Sequence, residues 1–153
     1  MSGSTIPEFD AAISVLSLAS KQQSDALIRM GEFLADQLYS GHKLLICGNG
    51  GSAADSQHMA AELVSSFMIG LRRPGLPAIA LTTDSSVLTA FANDFGYDGV
   101  FARQIQALGQ EGDCLLAIST SGKSASVLAA VEAAHAQGMK AAALTGSSPN
   151  PLE

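Results

Sequence analysis

The chain has 153 residues, 47% of them hydrophobic and 14% charged, enough for one domain with a real core and too apolar for intrinsic disorder. Its formal net charge of −6 argues against nucleic acid or an anionic membrane as partner, since both are polyanions. An acidic chain can still hold a phosphate through backbone dipoles at a helix start.

The N-terminal stretch MSGSTIPEFD has neither a basic n-region nor an apolar h-region, so it does not read as a signal peptide. No apolar run approaches the ~20 residues of a membrane span. Cys47 and Cys114 each fall inside an expected strand. Two such residues make no disulfide framework, and the chain reads as cytoplasmic with buried, reduced thiols.

From Ile6 to Ser20, apolar residues at Phe9, Ile13 and Leu16, with Ala12, Val15 and Ala19, keep helical spacing over a wide face. That helix either packs on a partner subunit or lies on its own sheet. Ser24 to Tyr39 is a second helix lined by Leu27, Met30, Phe33 or Leu34, and Leu38, with Ser24 as N-cap and Gly41 just past its end. Leu44–Cys47 reads as a strand buried on both faces, and the glycine turn Gly48-Asn49-Gly50-Gly51 follows it. A third helix runs from about Ala53 to Phe67, with Ser52 and Asp55 forming a capping-box pattern at its start. This unit aims bare N–H groups and a helix N-terminus at one point, which suits an anionic or polyhydroxyl ligand. His58 and Glu62, at i and i+4, share one face of that helix; the pair is either a surface ion pair or part of a metal or catalytic site.

Gly70 to Gly75 is a loop whose Arg72 and Arg73 are either solvated or face a phosphate from a neighbouring subunit. Pro77–Leu81 is the second strand. Asp84 or Ser85 caps a short helix ending near Asn93-Asp94, and Tyr97 to Leu108 is another helix. Cys114–Ile118 is the third strand, followed by the polar loop Ser119-Thr120-Ser121-Gly122-Lys123-Ser124. Ala125 to Gln137 is a helix closed by Gly138, Lys140–Leu144 is the fourth strand, and the tail SSPNPLE is turn-like. Alternating strands and helices demand an α/β fold: a parallel sheet with helices on both faces. Ligands in such sheets sit at the carboxyl ends of the strands, where Asn49–Ser52, Thr82–Asp84 and Ser119–Ser124 lie. We expect a single domain over 1–153, with 1–40 as N-terminal helices suited to oligomer packing, 41–146 as the core and 147–153 as a tail.

Taken in order, CGNGGSAADSQHMAAEL, RPGLPAIAL, ANDFGYDGVFARQI, EGDCLLAISTSGKSASV and GMKAAALTG make the chain resemble a sugar isomerase (SIS) domain and, within that group, the phosphoheptose isomerases. The resemblance runs nearly without a break from about Gly41 to Gly146. It implies a three-layer SIS-type sandwich and a ketose–aldose isomerase, which converts sedoheptulose 7-phosphate to glycero-manno-heptose 7-phosphate for bacterial surface polysaccharide. It also implies a homotetramer with sites at subunit interfaces, and zinc as cofactor. By the same resemblance, Asn49, Gly50, Gly51, Ser52, Asn93 and Asp94 contact the sugar, while Ser119, Thr120, Ser121 and Ser124 hold the phosphate. His58 and Glu62 match metal ligands, and Glu62 also matches the catalytic base. The chemistry agrees: a carbonyl shift needs a carboxylate to take a proton beside the carbonyl and donors to steady the enediolate.

Members of that family continue past the Thr145-Gly146 turn with a fifth parallel strand and a closing helix. That helix carries a glutamine and a histidine that complete the zinc site, and no residue up to Glu153 matches them. A shortened piece, or a member that only binds, is the expectation from that difference. His135 reads as a structural histidine. Lys123 stands where the family usually has asparagine, and it either meets the phosphate or points to solvent. A Rossmann domain fits Gly48-x-Gly50-x-x-Ala53, but Asp84 lies too far on to be its acidic residue and STSGKS is left without a role. A P-loop fails because its first glycine falls at Ala117, inside a strand. The remaining alternative is a non-catalytic SIS domain, a sugar-phosphate sensor or an assembly protein of replication initiation.

Overall fold

The computed structural model describes residues 6–70, 72–146 and 149–152. Leu71 of the predicted loop and Ser147, Ser148 and Glu153 of the predicted tail lie outside them. The chain forms two compact units, Met1–Ala35 and Asp36–Glu153.

In the first unit, α1 (Pro7–Gln22) starts with proline at its first position, where the missing N–H is no loss. None of its residues is buried. Helix α2 (Ser24–Tyr39) follows directly. The predicted N-cap role of Ser24 gives way to a different bond: its hydroxyl donates back to the Ser20 carbonyl in the last turn of α1. Gln23, whose carbonyl takes the Leu27 N–H, occupies the boundary instead.

The second unit carries the sheet. Strands β1 (Leu44–Gly48), β2 (Ala78–Ala80), β3 (Cys114–Ser119) and β4 (Lys140–Thr145) are all parallel, in the order β2-β1-β3-β4. β1 and β3 are buried at every position, as expected for strands covered on both faces. Their register pairs Leu45 with Leu115, Cys47 with Ala117 and Gly48 with Ile118. Between the strands run α3 (Gly51–Val64), α4 (Ser85–Phe95), the 3₁₀ turn Tyr97–Gly99, α5 (Val100–Leu108) and α6 (Ala125–Ala136).

Alternation sorts the strand side chains between two faces. Leu45, Cys47, Leu115 and Ala117 turn toward Val100, Phe101 and Ile105 of α5 and Val127, Ala130 and Ala134 of α6, forming the main core. Leu44, Ile46 and Leu116 turn the other way and are equally buried. Helix α3 packs on β1 and β2. A right-handed crossover from β1 to an outer β2 puts it on that second face, while the return crossings to β3 and β4 put α5 and α6 on the first. The predicted parallel α/β layering is therefore what forms. Two helices differ from the sequence reading: Tyr97–Leu108 splits into a 3₁₀ turn and α5, and α3 spans Gly51–Val64 rather than about Ala53 to Phe67.

At the amino ends of β1 and β3, Asp113 is buried and fully engaged. Its carboxylate accepts the Lys43 N–H at 2.9 Å and the Gln110 N–H at 2.9 Å, and forms an ion pair with the Lys43 ammonium. This cluster clamps the end of the sheet opposite the polar loops.

Candidate functional site

The connection from β1 runs to an outer strand on one side, and the next crosses β1 to β3 on the other. The carboxyl ends of β1 and β3 thus flank the switch point, the place where open α/β sheets bind ligands. Gly48 ends β1 under close contact. A Cβ there would sit 2.7 Å from the Ser52 Cβ and 2.8 Å from the Ile118 carbonyl oxygen, so only glycine lets α3 begin against β3. Gly50 then turns the chain with φ +57°, the left-handed region that glycine enters without a steric penalty.

Helix α3 begins at Gly51 with Gly50 as its N-cap and no side-chain cap. This corrects the capping-box expectation. Ser52 lies inside the first turn, its N–H on the Asn49 carbonyl at 3.0 Å, and Asp55 is exposed. With no side chain capping it, the turn keeps N–H groups for a ligand.

Asn49 joins the two strand ends. Its side-chain amide donates to the Ser124 hydroxyl at 2.8 Å and the Ser126 hydroxyl at 3.0 Å, and its carbonyl oxygen accepts from the Tyr97 hydroxyl at 2.7 Å. Ser124 is the N-cap residue of α6, yet its side chain makes no capping bond. The hydroxyl that would ordinarily satisfy a first-turn N–H is engaged by Asn49, which leaves the α6 N-terminus open to an anion.

The Ser119–Ser124 loop folds tightly. Gly122 N–H reaches the Ser119 carbonyl at 3.1 Å, Lys123 N–H the Ser121 hydroxyl at 3.2 Å, and the Thr120 carbonyl accepts from Gly146 N–H at 3.0 Å. Ser119 is buried, whereas Thr120, Ser121 and Lys123 are exposed. The third polar loop approaches α3 through Gln57, which donates to the Thr82 hydroxyl at 3.3 Å. Asp84 caps α4 by accepting the Val87 N–H at 3.0 Å.

So the structure brings Asn49 and Ser124 into direct contact and sets Gly50, Gly51, Ser52, Ser119, Thr120 and Ser121 on the same edge of the sheet. Asn93 and Asp94 are exposed near the end of α4 and bond to each other, Asn93 Nδ2 to Asp94 Oδ1 at 2.8 Å. Sequence reading missed Tyr97 and Ser126. Tyr97 followed a predicted helix break and read as an ordinary helix start. Ser126, two residues past Ser124, carried no motif of its own.

His58 and Glu62 do share a face of α3. His58 Nε2 lies 3.8 Å from Glu62 Oε1, with the His58 side chain 74% exposed and that of Glu62 31%. Glu62 is eleven residues beyond Gly51, about 16 Å along the helix axis. Among the described residues no group of three or more His, Cys, Asp and Glu side chains comes together to hold a metal ion. Zinc takes three or four protein ligands, so these residues do not by themselves fit it. Among the described residues no bond joins Arg73 to the polar loops at the strand ends or to the Glu62 carboxylate. Its guanidinium donates to the Glu62 and Leu63 carbonyls, each at 2.7 Å, closing the C-terminus of α3.

A parallel sheet whose switch point carries polar loops and uncapped helix starts is an anion-binding type of α/β domain, and comparison with known proteins gives its class. The family profile described as the SIS domain matches residues 9–146, and the chain belongs to that family. It is 52% identical over 143 residues to the phosphoheptose isomerase of Roseiflexus sp. (strain RS-1), covering 94% of this chain and 72% of that one. It is 63% identical over 115 residues to that of Thiobacillus denitrificans, covering 75% and 57%. Among solved structures, the phosphoheptose isomerase GmhA from Neisseria gonorrhoeae superposes with a TM-score of 0.86 at 45% identity, over 93% of this chain and 73% of that one. A phosphoheptose isomerase from Francisella tularensis gives 0.91 at 40% identity, over 95% and 75%. The chain thus spans between 57% and 72% of the length of these two curated relatives.

Proposed function

We propose that this chain is a phosphoheptose isomerase domain that moves the carbonyl of sedoheptulose 7-phosphate from C2 to C1. The observation that carries this reading is the Asn49 amide, which ties the β1–α3 turn to the uncapped N-terminus of α6. The phosphate belongs at Ser119, Thr120, Ser121 and Ser124, where hydroxyls and first-turn N–H groups suit a dianion. Gly50, Gly51, Ser52, Asn93 and Asp94 offer donors and acceptors to the sugar hydroxyls, and Asn49 borders them with its amide donors held by Ser124 and Ser126.

In the ketose-to-aldose direction the Glu62 carboxylate takes a proton from C1. The C–H electron pair forms the C1–C2 double bond, and the carbonyl pair moves onto the C2 oxygen. Backbone N–H donors steady that enediolate. Glu62 returns the proton to C2 and the C1 hydroxyl proton passes to the C2 oxygen, giving the C1 aldehyde and the C2 hydroxyl. The zinc implied by the resemblance would find two donors in His58 and Glu62. Among the described residues no third His, Cys, Asp or Glu side chain joins them, so no step is routed through the metal and proton transfer is assigned to Glu62.

The ~16 Å along α3 between the turn and Glu62 has one of two solutions. Either the ligand extends along the helix, or a second copy brings its own Glu62 to the cradle. The second supports a homo-oligomer, a tetramer by resemblance, with residues 1–40 as assembly helices and 41–146 as the chemical core of one domain. The setting is the cytoplasm; among the described residues no helix is long and apolar enough to cross a membrane.

The test is isomerase activity on sedoheptulose 7-phosphate, with and without added zinc, for this chain and for Glu62→Gln. Loss of a general base lowers turnover by about 10²–10⁴-fold, and that loss with intact folding is the expected result. An inactive parent chain whose melting temperature still rises with the sugar phosphate supports the binding-only alternative instead, a sensor or assembly module.

A further inference from the structure

We infer that Tyr97 is a positioning residue for phosphate: through Asn49 it holds the Ser124 hydroxyl as a donor aimed at the anion. This rests on the proposed sugar-phosphate site and adds to it a residue to which the sequence reading gave no role there.

The inference follows from counting protons. An asparagine side chain offers two N–H donors and one carbonyl oxygen. Here both donors are engaged, on the Ser124 and Ser126 hydroxyl oxygens, and the oxygen accepts from Tyr97. Each serine oxygen that accepts from Asn49 keeps its own proton to give elsewhere. Ser126 is only 2% exposed, and its hydroxyl lies 3.3 Å from that of Ser124, a contact in which either oxygen can donate; with no solvent to give to, we assign the Ser126 proton to Ser124. The Ser124 hydroxyl is then the end of the chain. It accepts from both neighbours, it makes no capping bond to α6, and its proton is directed to whatever anion occupies the open helix start.

The alternative amide orientation reverses this. With the Asn49 carbonyl oxygen facing the serines, both hydroxyls would donate to it and withhold their protons from a phosphate. Tyr97 selects between the two. A phenol is a better donor and a poorer acceptor than an alkyl hydroxyl, so it favours the orientation that presents Oδ1. Its ring is held for this. It lies edge-on to the buried Phe101, ring centres 6.3 Å apart and planes at 76°, a preferred aromatic geometry. The hydroxyl thus reaches Asn49 from a 3₁₀ turn fixed on the core.

The experiment measures binding and turnover separately. Tyr97→Phe keeps the ring on Phe101 and removes only the hydroxyl. Titration of sedoheptulose 7-phosphate by calorimetry should show affinity weakened about tenfold, with KM raised in proportion, kcat within about twofold and the melting temperature nearly unchanged. In a Ser124→Ala background the same substitution should add almost nothing, because the donor it orients is gone. Asn49→Asp, which accepts from Tyr97 but cannot donate to the serines, should weaken phosphate at least as much as Tyr97→Phe. Affinity unchanged in Tyr97→Phe overturns the inference. So does an equal loss with and without Ser124, which would mean Tyr97 acts elsewhere. A parent chain that binds the sugar phosphate and shows the coupling, yet does not isomerise it, leaves the inference standing and removes the catalytic reading. A parent chain that does not bind the sugar phosphate removes both.

Discussion

Asp113 shows how one buried carboxylate ties strand ends together and writes a pH dependence into the fold. Burial pushes its pKa up, but the Lys43 ammonium and the Lys43 and Gln110 N–H groups hold the carboxyl, on balance, below its ordinary value. A depressed pKa in the folded state stabilises above the unfolded value of about 3.9 and is lost as pH falls through the folded value. Asp113→Asn should therefore lower stability by about 2 kcal/mol at pH 7, and the gap to the parent should narrow below pH 4. Urea melts at pH 7 and pH 3.5 check this; a constant gap would show that shape rather than charge is what Asp113 supplies. Gly48 is a second residue whose role is purely spatial. Gly48→Ala places a methyl group against the Ser52 Cβ and the Ile118 carbonyl at under 3 Å, and neither neighbour is a flexible side-chain end. We expect a loss of about 1–3 kcal/mol from overpacking, together with weakened sugar-phosphate binding, because α3 must shift away from the β3 end. Thermal melts and the same calorimetric titration read both.

At the scale of elements, the ends of α3 are what the proposed chemistry depends on, and they were unequally legible. The start was readable as a glycine turn after an apolar strand, yet the cap was assigned to Ser52 because serine followed by an acidic residue is the usual signal. The close approach of Gly48 to β3 overrides it: the helix begins two residues earlier, with Gly50 as N-cap, and no side chain reaches back. The far end was not readable. Phe67 continued the apolar pattern, but α3 stops at Val64, and Arg73, ten residues beyond Leu63, turns back to take the carbonyls of Glu62 and Leu63. A long-range cap of that kind leaves no local trace. Strands β1 and β3 were plain in the sequence because apolar runs of that length bounded by turns have few other uses. The Asn49–Tyr97–Ser126 contacts were not, since they join residues up to 77 positions apart. Arg73→Ala should strand two helix-terminal carbonyls, cost about 1–2 kcal/mol and loosen the turn bearing Glu62. Isomerase turnover should fall more than substrate affinity, since the proposed phosphate end of the site lies at the opposite end of α3. Equal effects on kcat and KM would instead place Arg73 in binding.

For the molecule as a whole, the first helix poses the sharpest physical question. Phe9, Ile13 and Leu16 follow helical spacing and are 65%, 62% and 69% exposed, and α1 buries nothing. A sixteen-residue helix is marginal in water by itself and gains its stability from packing an apolar face, so this face requires cover. A second copy is the occupant consistent with the rest of the site, because it is also one way for a Glu62 to reach a cradle about 16 Å away along α3. If so, assembly and activity are coupled. Leu16→Glu should shift the protein toward monomer in sedimentation velocity while leaving the α/β unit folded, since residues 36–153 hold their own core. Monomer made this way should retain phosphate binding at Ser119–Ser124 and lose isomerase turnover. Mixing it with an excess of Glu62→Gln protein should not restore activity, whereas raising the concentration of the parent chain should increase specific activity until assembly saturates. Full turnover in a monomeric Leu16→Glu protein would show that each chain serves its own substrate, with the ligand lying along α3.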